Sequence, residues 1–430
     1  MRRQHLAVAL LIALACMPAA RAQAPVIASL QNAASRTTLT ALSPQMLFTI
    51  TGQNLATSTE VASYPLPTTL GGATVIIQDA NFFLGGVSNS APIPLLYASP
   101  TQINAQAPSW LEDVLVAGNT NSMTVGITVT TAHGSSNTVS VNLRPVGAGI
   151  FAQGSTGCGQ AVAFNVPPGG GPLSLNTTRN SFDPEKDLGL AILLTGAGYF
   201  ADRVDGAPWQ FNPADNEAPP VATDNGPSGP LEVIFGAPNS TALHYELYTE
   251  YVGPAIGYAG IDQVNGIANW TGLQWTVPAQ GCHVPMYLDL PNNSASQIVD
   301  VSIHSGGGAC ADSPAGMLGI VQLQSNTMSG TSGMSSSAAV TAQFLQSGGL
   351  GFPAPGPLGA RPPVATAYGF PPQVEPLPAA CPAVVPTLDA GNLTISGPGL
   401  ASLTLTPATQ NGQISYQANV PAPLPAARIK

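Results

Sequence analysis

The strongest constraint on this chain is a stretch that occurs twice. LLYASPTQINAQAP, residues 95–108, carries a tyrosine–alanine pair followed, five residues after the tyrosine, by a Gln-apolar-Asn triplet, and the same spacing returns in GYAGIDQVNG, residues 257–266. Tyr97-Ala98 with Gln102-Ile103-Asn104 therefore matches Tyr258-Ala259 with Gln263-Val264-Asn265. The surroundings repeat in the same order. MLFTITGQNLA (46–56) matches LAILLTGAGYF (190–200), LGGATVIIQ (70–78) matches GPLEVIFG (229–236), and the closing MTVGITVTTAHGSSNTVSVNL (123–143) matches HVPMYLDLPNNSASQIVDVSI (283–303). One match between β-rich segments is easily accidental, but four in one order imply duplication of a whole folding unit.

Each run alternates apolar and polar residues between turn signals, as in Val125, Ile127 and Val129 against threonines, which is the period of a half-buried strand. Within the repeated stretch this places Ile103 and Ala105 on one face and Gln102, Asn104 and Gln106 on the other. Strands at such spacing predict a sandwich of roughly 100 residues. Composition agrees, because only 7% of residues are charged while Gly (46) and Pro (42) are abundant, leaving little material for exposed helix faces. The expected fold is all-β, with two tandem β-sandwiches at 25–146 and 188–310, a connector at 147–187, a Pro/Gly/Ser-rich linker at 311–386 and a short β segment at 387–430. The second copy departs from the first by GIANWTGLQW, inserted after Asn265, and by a Pro/Asp/Asn-rich loop at 207–227.

Residues 1–22 read as a secretory signal: Arg2 and Arg3 precede an apolar core, and Ala20-Arg21-Ala22 gives a small-x-small cleavage site. Lipid attachment at Cys16 is a weaker reading, since the residues before it fit that signal poorly. Loss of Arg2, Arg3 and Arg21 from the 11 basic residues leaves 8 against 21 acidic ones, a net charge of −13. Nucleic acid is then excluded as a partner for want of a basic patch, and no second apolar run long enough to cross a membrane follows.

Four cysteines remain, Cys158, Cys282, Cys310 and Cys381. Cys282 opens the closing hairpin and Cys310 lies just past its end, so a Cys282–Cys310 disulfide is expected in an exported chain. A zinc set of Cys282, His283, His304 and Cys310 is the competing reading, and Cys158 with Cys381 is the pair left by elimination. Asp183, Glu185 and Asp187, with Asp202 and Asp205 beyond the next strand, suggest either a calcium loop lacking its full ligand spacing or a solvated acidic turn. No GxSxG, HExxH, CxxC or P-loop pattern occurs, so no catalytic residue, metal or cofactor is assigned and the chain is read as non-enzymatic. For ligand binding the candidates are Trp270, Trp275, Tyr245, Tyr248 and Tyr251, because aromatic faces stack on sugars and anchor protein partners. The competing reading buries the tryptophans within the insertion.

The motifs LQNAAS (30–35), ITGQNLA, LPTTLGGATV, LYASPTQINAQAP, GAGIFAQG and GQAVAFN together closely resemble a family of secreted acidobacterial (Solibacter-type) proteins with tandem immunoglobulin-like, TIG/IPT-like domains. The resemblance is tightest over 25–165 and looser through Cys310. It implies export, these sandwiches, and a structural, adhesion or binding role at the cell surface, with a surface glycan or protein as partner. It supplies no catalytic residues. A carbohydrate-binding accessory module and a secreted hydrolase of unfamiliar type are the alternatives.

Overall fold

The computed structural model describes residues 23–84, 87–111, 115, 122–155, 157–169, 171–198, 231–235, 245–255, 258–267, 275–277, 280–290, 294–312, 317–330, 333–346, 391–397, 400–410 and 413–420. The expected signal at 1–22, the loop at 207–227, Trp270, Asp202, Asp205 and Cys381 lie outside them.

Alternation builds the first unit. Its strands are β1 (Val26–Asn32), β2 (Leu47–Gln53), β3 (Glu60–Val61), β4 (Thr69–Leu70), β5 (Ala73–Leu84), β6 (Val87–Pro92), β7 (Leu95–Ala98), β8 (Gln102–Gln106), β9 (Met123–Thr131), β10 (Gly134–Ser135) and β11 (Val139–Leu143). One sheet runs β1-β2-β8-β7-β3; the other runs β10-β9-β5-β4, with β11 on β9 and β6 on β5. First, second, fifth and fourth major strands thus form one layer, and third, sixth and seventh the other, which is the immunoglobulin arrangement. Phe48 and Ile50 of β2, Ile103 and Ala105 of β8, Val75 and Ile77 of β5 and Val125, Ile127 and Val129 of β9 are all wholly buried in one core. Each large side chain so buried contributes about 1.5–3 kcal/mol.

The second unit repeats the plan. Its strands are β12 (Gly149–Ile150), β13 (Ala163–Val166), β14 (Ser174–Leu175), β15 (Gly189–Thr195), β16 (Glu232–Phe235), β17 (Tyr245–Pro254) and β18 (Asp262–Ile267), then, past β19 (Trp275–Val277), β20 (Gly281–Leu290), β21 (Ser294–Ala295) and β22 (Val299–Ile303). β15 pairs with β18 as β2 pairs with β8, β16 with β20 as β5 with β9, and β22 with β20 as β11 with β9. Ile192, Leu194, Val264, Val233, Phe235, Met286, Leu288 and Val301 fill its core.

Two expectations need correction. Residues 147–187 are no spacer: β12 and β13 pair with β15, and Phe182 is wholly buried in the second core. Within the expected linker at 311–386, residues 317–346 are no spacer either, since β23 (Met317–Gly330) and β24 (Gly333–Gln346) pair along their full length. Ser/Gly-rich composition signals a spacer only where water satisfies the backbone, and here the partner strand does so. β25 (Leu393–Gly397), β26 (Leu400–Gln410) and β27 (Gln413–Val420) complete a third sheet, ordered β19-β23-β24-β27-β26-β25. The C-terminal segment is therefore completed by strands from the supposed linker and by β19, which starts at the last residue of the second-copy insertion. Val340, Ala342, Leu405 and Tyr416 form its core, with Phe344 edge-on to Tyr416.

Candidate functional site

Both copies of the repeated motif fix their amides in the same way. Gln102 Nε2 donates to Asn104 Oδ1 at 2.9 Å, and Gln263 Nε2 donates to Asn265 Oδ1 at 2.8 Å. In the first copy Thr49 Oγ1 adds a third member, bonding to Asn104 at 3.1 Å. Asn104 and Gln106 are buried, so this polar row is structural pairing and not an open platform. Tyr97 is buried as well.

The turns preceding the two triplets do different work. In the first copy, Ser99 Oγ accepts from Gln102 N at 3.0 Å, while Leu55 N and Gly52 N donate to Pro100 O and Thr101 O, closing the turn on its own sandwich. In the second, residues 258–261 reach the neighbouring unit. Ala259 N donates to Tyr64 Oη at 2.9 Å, and Thr195 Oγ1 donates to Gly260 O at 2.6 Å while accepting from Leu47 N at 2.8 Å. Gly260 has φ +70°, and a Cβ there would stand 2.5 Å from Leu47 Cδ2, so backbone conformation and close approach both call for glycine. Leu47, Leu66, Leu96 and Ala34 of the first unit share a buried apolar cluster with Phe151, Val162, Leu193, Ala259 and Ile261 of the second. Asn32 Nδ2 donates to Gly147 O at 3.1 Å and Ser43 Oγ to Gly196 O at 3.2 Å, so the joint is apolar at its centre and hydrogen-bonded around it.

Behind this joint lies a buried amide network that the sequence did not disclose. Gln160 Nε2 donates to Asn176 Oδ1 at 2.8 Å, Asn176 Nδ2 donates to Asn165 Oδ1 and to Ser302 O, both at 2.9 Å, and Gln153 Nε2 donates to Ala161 O and Asn176 O, both at 2.8 Å. It fastens the 147–187 stretch to β22. The only available signal was the Gln and Asn flanking the apolar run GQAVAFN, and such residues are ordinarily placed on the surface.

At the end of the second sandwich, Cys282 and Cys310 form the expected disulfide, with Cα atoms 5.3 Å apart. The zinc reading falls because both sulfurs are consumed. Cys158 is buried and disulfide-bonded, its partner lying outside the described residues. Next to the Cys282–Cys310 bridge, His283 Nδ1 lies 3.0 Å from Asp300 Oδ2 and its Nε2 lies 3.8 Å from Asp312 Oδ2. Asp312 Oδ1 accepts from Cys282 N at 2.7 Å. Asp300 is wholly buried, and its Oδ1 has no partner among the described residues. The bond to Asp300 holds the His283 imidazolium on above the usual histidine range, against a smaller opposing effect of burial; burial pushes the Asp300 carboxyl up.

The candidate aromatics within the described residues lie in strands of two different sheets. Trp275 lies in β19, opposite Leu323 of β23 in the third sheet. Tyr245, Tyr248 and Tyr251 lie in β17, opposite Phe235, Ile267 and Asn265. A bulge between Thr249 and Tyr251 shifts the register there, and Tyr251 Oη donates to Pro254 O at 3.0 Å. The acidic loop is closed on itself. Asp183 Oδ1 accepts from Glu185 N at 3.0 Å, its Oδ2 meets Lys186 Nζ at 3.1 Å, and its amide donates to Asp187 Oδ2 at 2.8 Å. Among the described residues no group of three His, Cys, Asp or Glu side chains is arranged to hold a metal, and no helix is long and apolar enough to cross a membrane.

No protein-family model and no curated protein matches the chain. Among solved structures it is similar to two of the plexin A4 full extracellular region, one described as domains 1 to 10 and one with domains 1 to 8. Each is 9% identical, with a TM-score of 0.16, over 61% of this chain. The chain spans 20% and 24% of the length of those two chains.

Proposed function

We propose that this is an exported, non-enzymatic protein with a structural or adhesive role at or beyond the cell surface, and that its two sandwiches act as one rigid body. The junction carries the reading. A shared apolar cluster, with Thr195 bridging Leu47 and Gly260, suits a part that transmits position or load. The secretory signal and the Cys282–Cys310 bridge support the location, and the motifs of residues 25–165 support a resemblance to the tandem TIG-like family. Protease shaving of intact cells tests location: removal of the protein by added protease is the expected result, and its retention in a cytosolic fraction would sink the reading. Loss of cell adhesion on deletion, restored by the wild-type chain but not by a form with a lengthened junction, tests the role.

A second reading, glycan binding, has one observation in its favour: Tyr251 lies opposite Asn265, whose amide Gln263 holds in place. Glycan-array binding abolished by Tyr251→Ala would favour it over the structural role.

A further inference from the structure

The His283 cluster stands at the exit of the second sandwich, where the chain leaves β22, passes Cys310 and Asp312 and continues to β23. We propose that His283 is a proton-operated latch: protonated, it holds Asp312 against the start of β20, and on losing its proton it lets Asp312 go.

Geometry dictates the sign. His283 faces one carboxylate through each ring nitrogen, Asp300 through Nδ1 and Asp312 through Nε2. Only a ring carrying both protons donates toward both. A shift of the Nδ1 proton onto Asp300 leaves the Nε2 hydrogen and the net charge of the pair unchanged, so the His283–Asp300 pair gains and loses one proton as a unit. When that proton leaves, the remaining one stays at Nδ1 beside the buried Asp300, whose other oxygen already lacks a partner among the described residues, so a bare carboxylate there is costly. Nε2 then turns a lone pair toward Asp312 Oδ2.

The groups acting on the ring come from each element packed against it. β22 contributes Asp300, the segment after the disulfide contributes Asp312, and residues 159–161 meet Asp300 through their backbone, Asp300 N donating to Gly159 O and Ala161 N to Asp300 O, both at 2.8 Å. No cation among them replaces the lost proton. Asp312 is well placed to respond: its side chain is 29% exposed, and the amide of Cys282 reads its position through the 2.7 Å bond to Oδ1. The disulfide keeps the segment within reach, so release is local and reversible.

The latch is independent of the adhesive role. It is tested on the full oxidised chain by following the His283 imidazole and the Cys282 amide by NMR as pH is raised. The expected result is a single His283 step above the ordinary value of about 6.5, with the Cys282 amide shifting in the same step and exchanging at least tenfold faster beyond it, after correction for base catalysis. Asp312→Asn should lower the midpoint and uncouple the Cys282 amide from it; His283→Gln should leave that amide fast-exchanging at every pH. A Cys282 amide that ignores the His283 step, or a midpoint unmoved by Asp312→Asn, overturns the latch. Should His283→Gln fail to fold, the wild-type titration and the surface variant Asp312→Asn decide alone.

Discussion

In the first sandwich the repeated turn, Tyr97 to Thr101, packs beneath its own strands; in the second, Tyr258 to Asp262 crosses to the neighbour and becomes the joint. Ser99 uses its hydroxyl to close the first turn, whereas Gly260, at the same place in the second, has no side chain and admits Leu47. A second contrast accompanies the first. β6 and β7 are separate strands parted by Ile93 and Pro94, each serving one sheet, while β17 runs unbroken, pairing with β16 through Val233 and its neighbours and with β18 through its later residues. The first unit therefore keeps two distinct sheets, and the strand that continues in the second links both layers. Duplication thus preserved the core alternation and freed the turns to diverge.

Substitutions at matched positions break this comparison in graded ways. Ile50 and Ile192 occupy equivalent register positions, opposite Ile103 and Val264, and are both wholly buried. Replacing either by alanine should cost about 2–5 kcal/mol, and denaturant unfolding should show one shifted transition if the joint couples the units; two separated transitions would deny the coupling. Gly260→Val should cost about 3 kcal/mol through overpacking and its left-handed backbone, whereas Ser99→Ala in the matched turn should cost about 1 kcal/mol. Equal losses would remove the distinction between the turns.

Thr195→Val leaves Leu47 N and Gly260 O without their shared partner and should cost about 2 kcal/mol, measured as a drop in thermal midpoint together with a wider spread of inter-unit distances by spin labelling. The place of Asp262 is taken in the first copy by neutral Thr101. Burial pushes the Asp262 carboxyl up to about 7, against the backbone amides of Ala197 and Gly196. Because the folded state holds that proton more tightly than the unfolded one, stability should fall as pH rises from about 4 through 7 and level off above. Asp262→Asn should flatten that slope and gain roughly 1–2 kcal/mol at pH 8, less than the full shift because the asparagine gives up the charge-assisted bond from Ala197 N. Smallest of all, Gln102→Ala and Gln263→Ala should each cost about 1 kcal/mol, with similar values if the shared amide bond does the same work in both copies.

Much of the fold was legible because alternation is local. Val125, Ile127 and Val129 announce an inward face without knowledge of any partner, and Cys282 and Cys310 could be joined because a hairpin returns the chain on itself. The aligned Thr-Gly pairs misled by two residues: Thr51 faces Gln102, but it is Leu193, not Thr195, that faces Gln263. A slip of two keeps every side chain on its face, so the pattern of buried residues could not reveal it. The joint was hidden for another reason. Gly260 and Thr195 look like ordinary turn and strand residues until a second unit is set against them. Asp300 was unreadable as well, since a carboxylate in an alternating strand is ordinarily counted outward, and its burial depends on residues 159–161 lying across β22.

By itself, then, the sequence determined what is periodic: strands, their inward faces, the collinear repeat and one disulfide, all properties of chain segments and their near neighbours. Tertiary structure alone decided what depends on distant segments meeting. It drew 147–187 into the second sheet, assembled a third sheet from β19, the hairpin at 317–346 and the C-terminal strands, and converted one copy of a repeated turn into a joint. The physical reason is that backbone hydrogen bonding and apolar burial accept any partner of suitable shape, so pattern fixes which face is buried while only the assembled chain fixes what covers it.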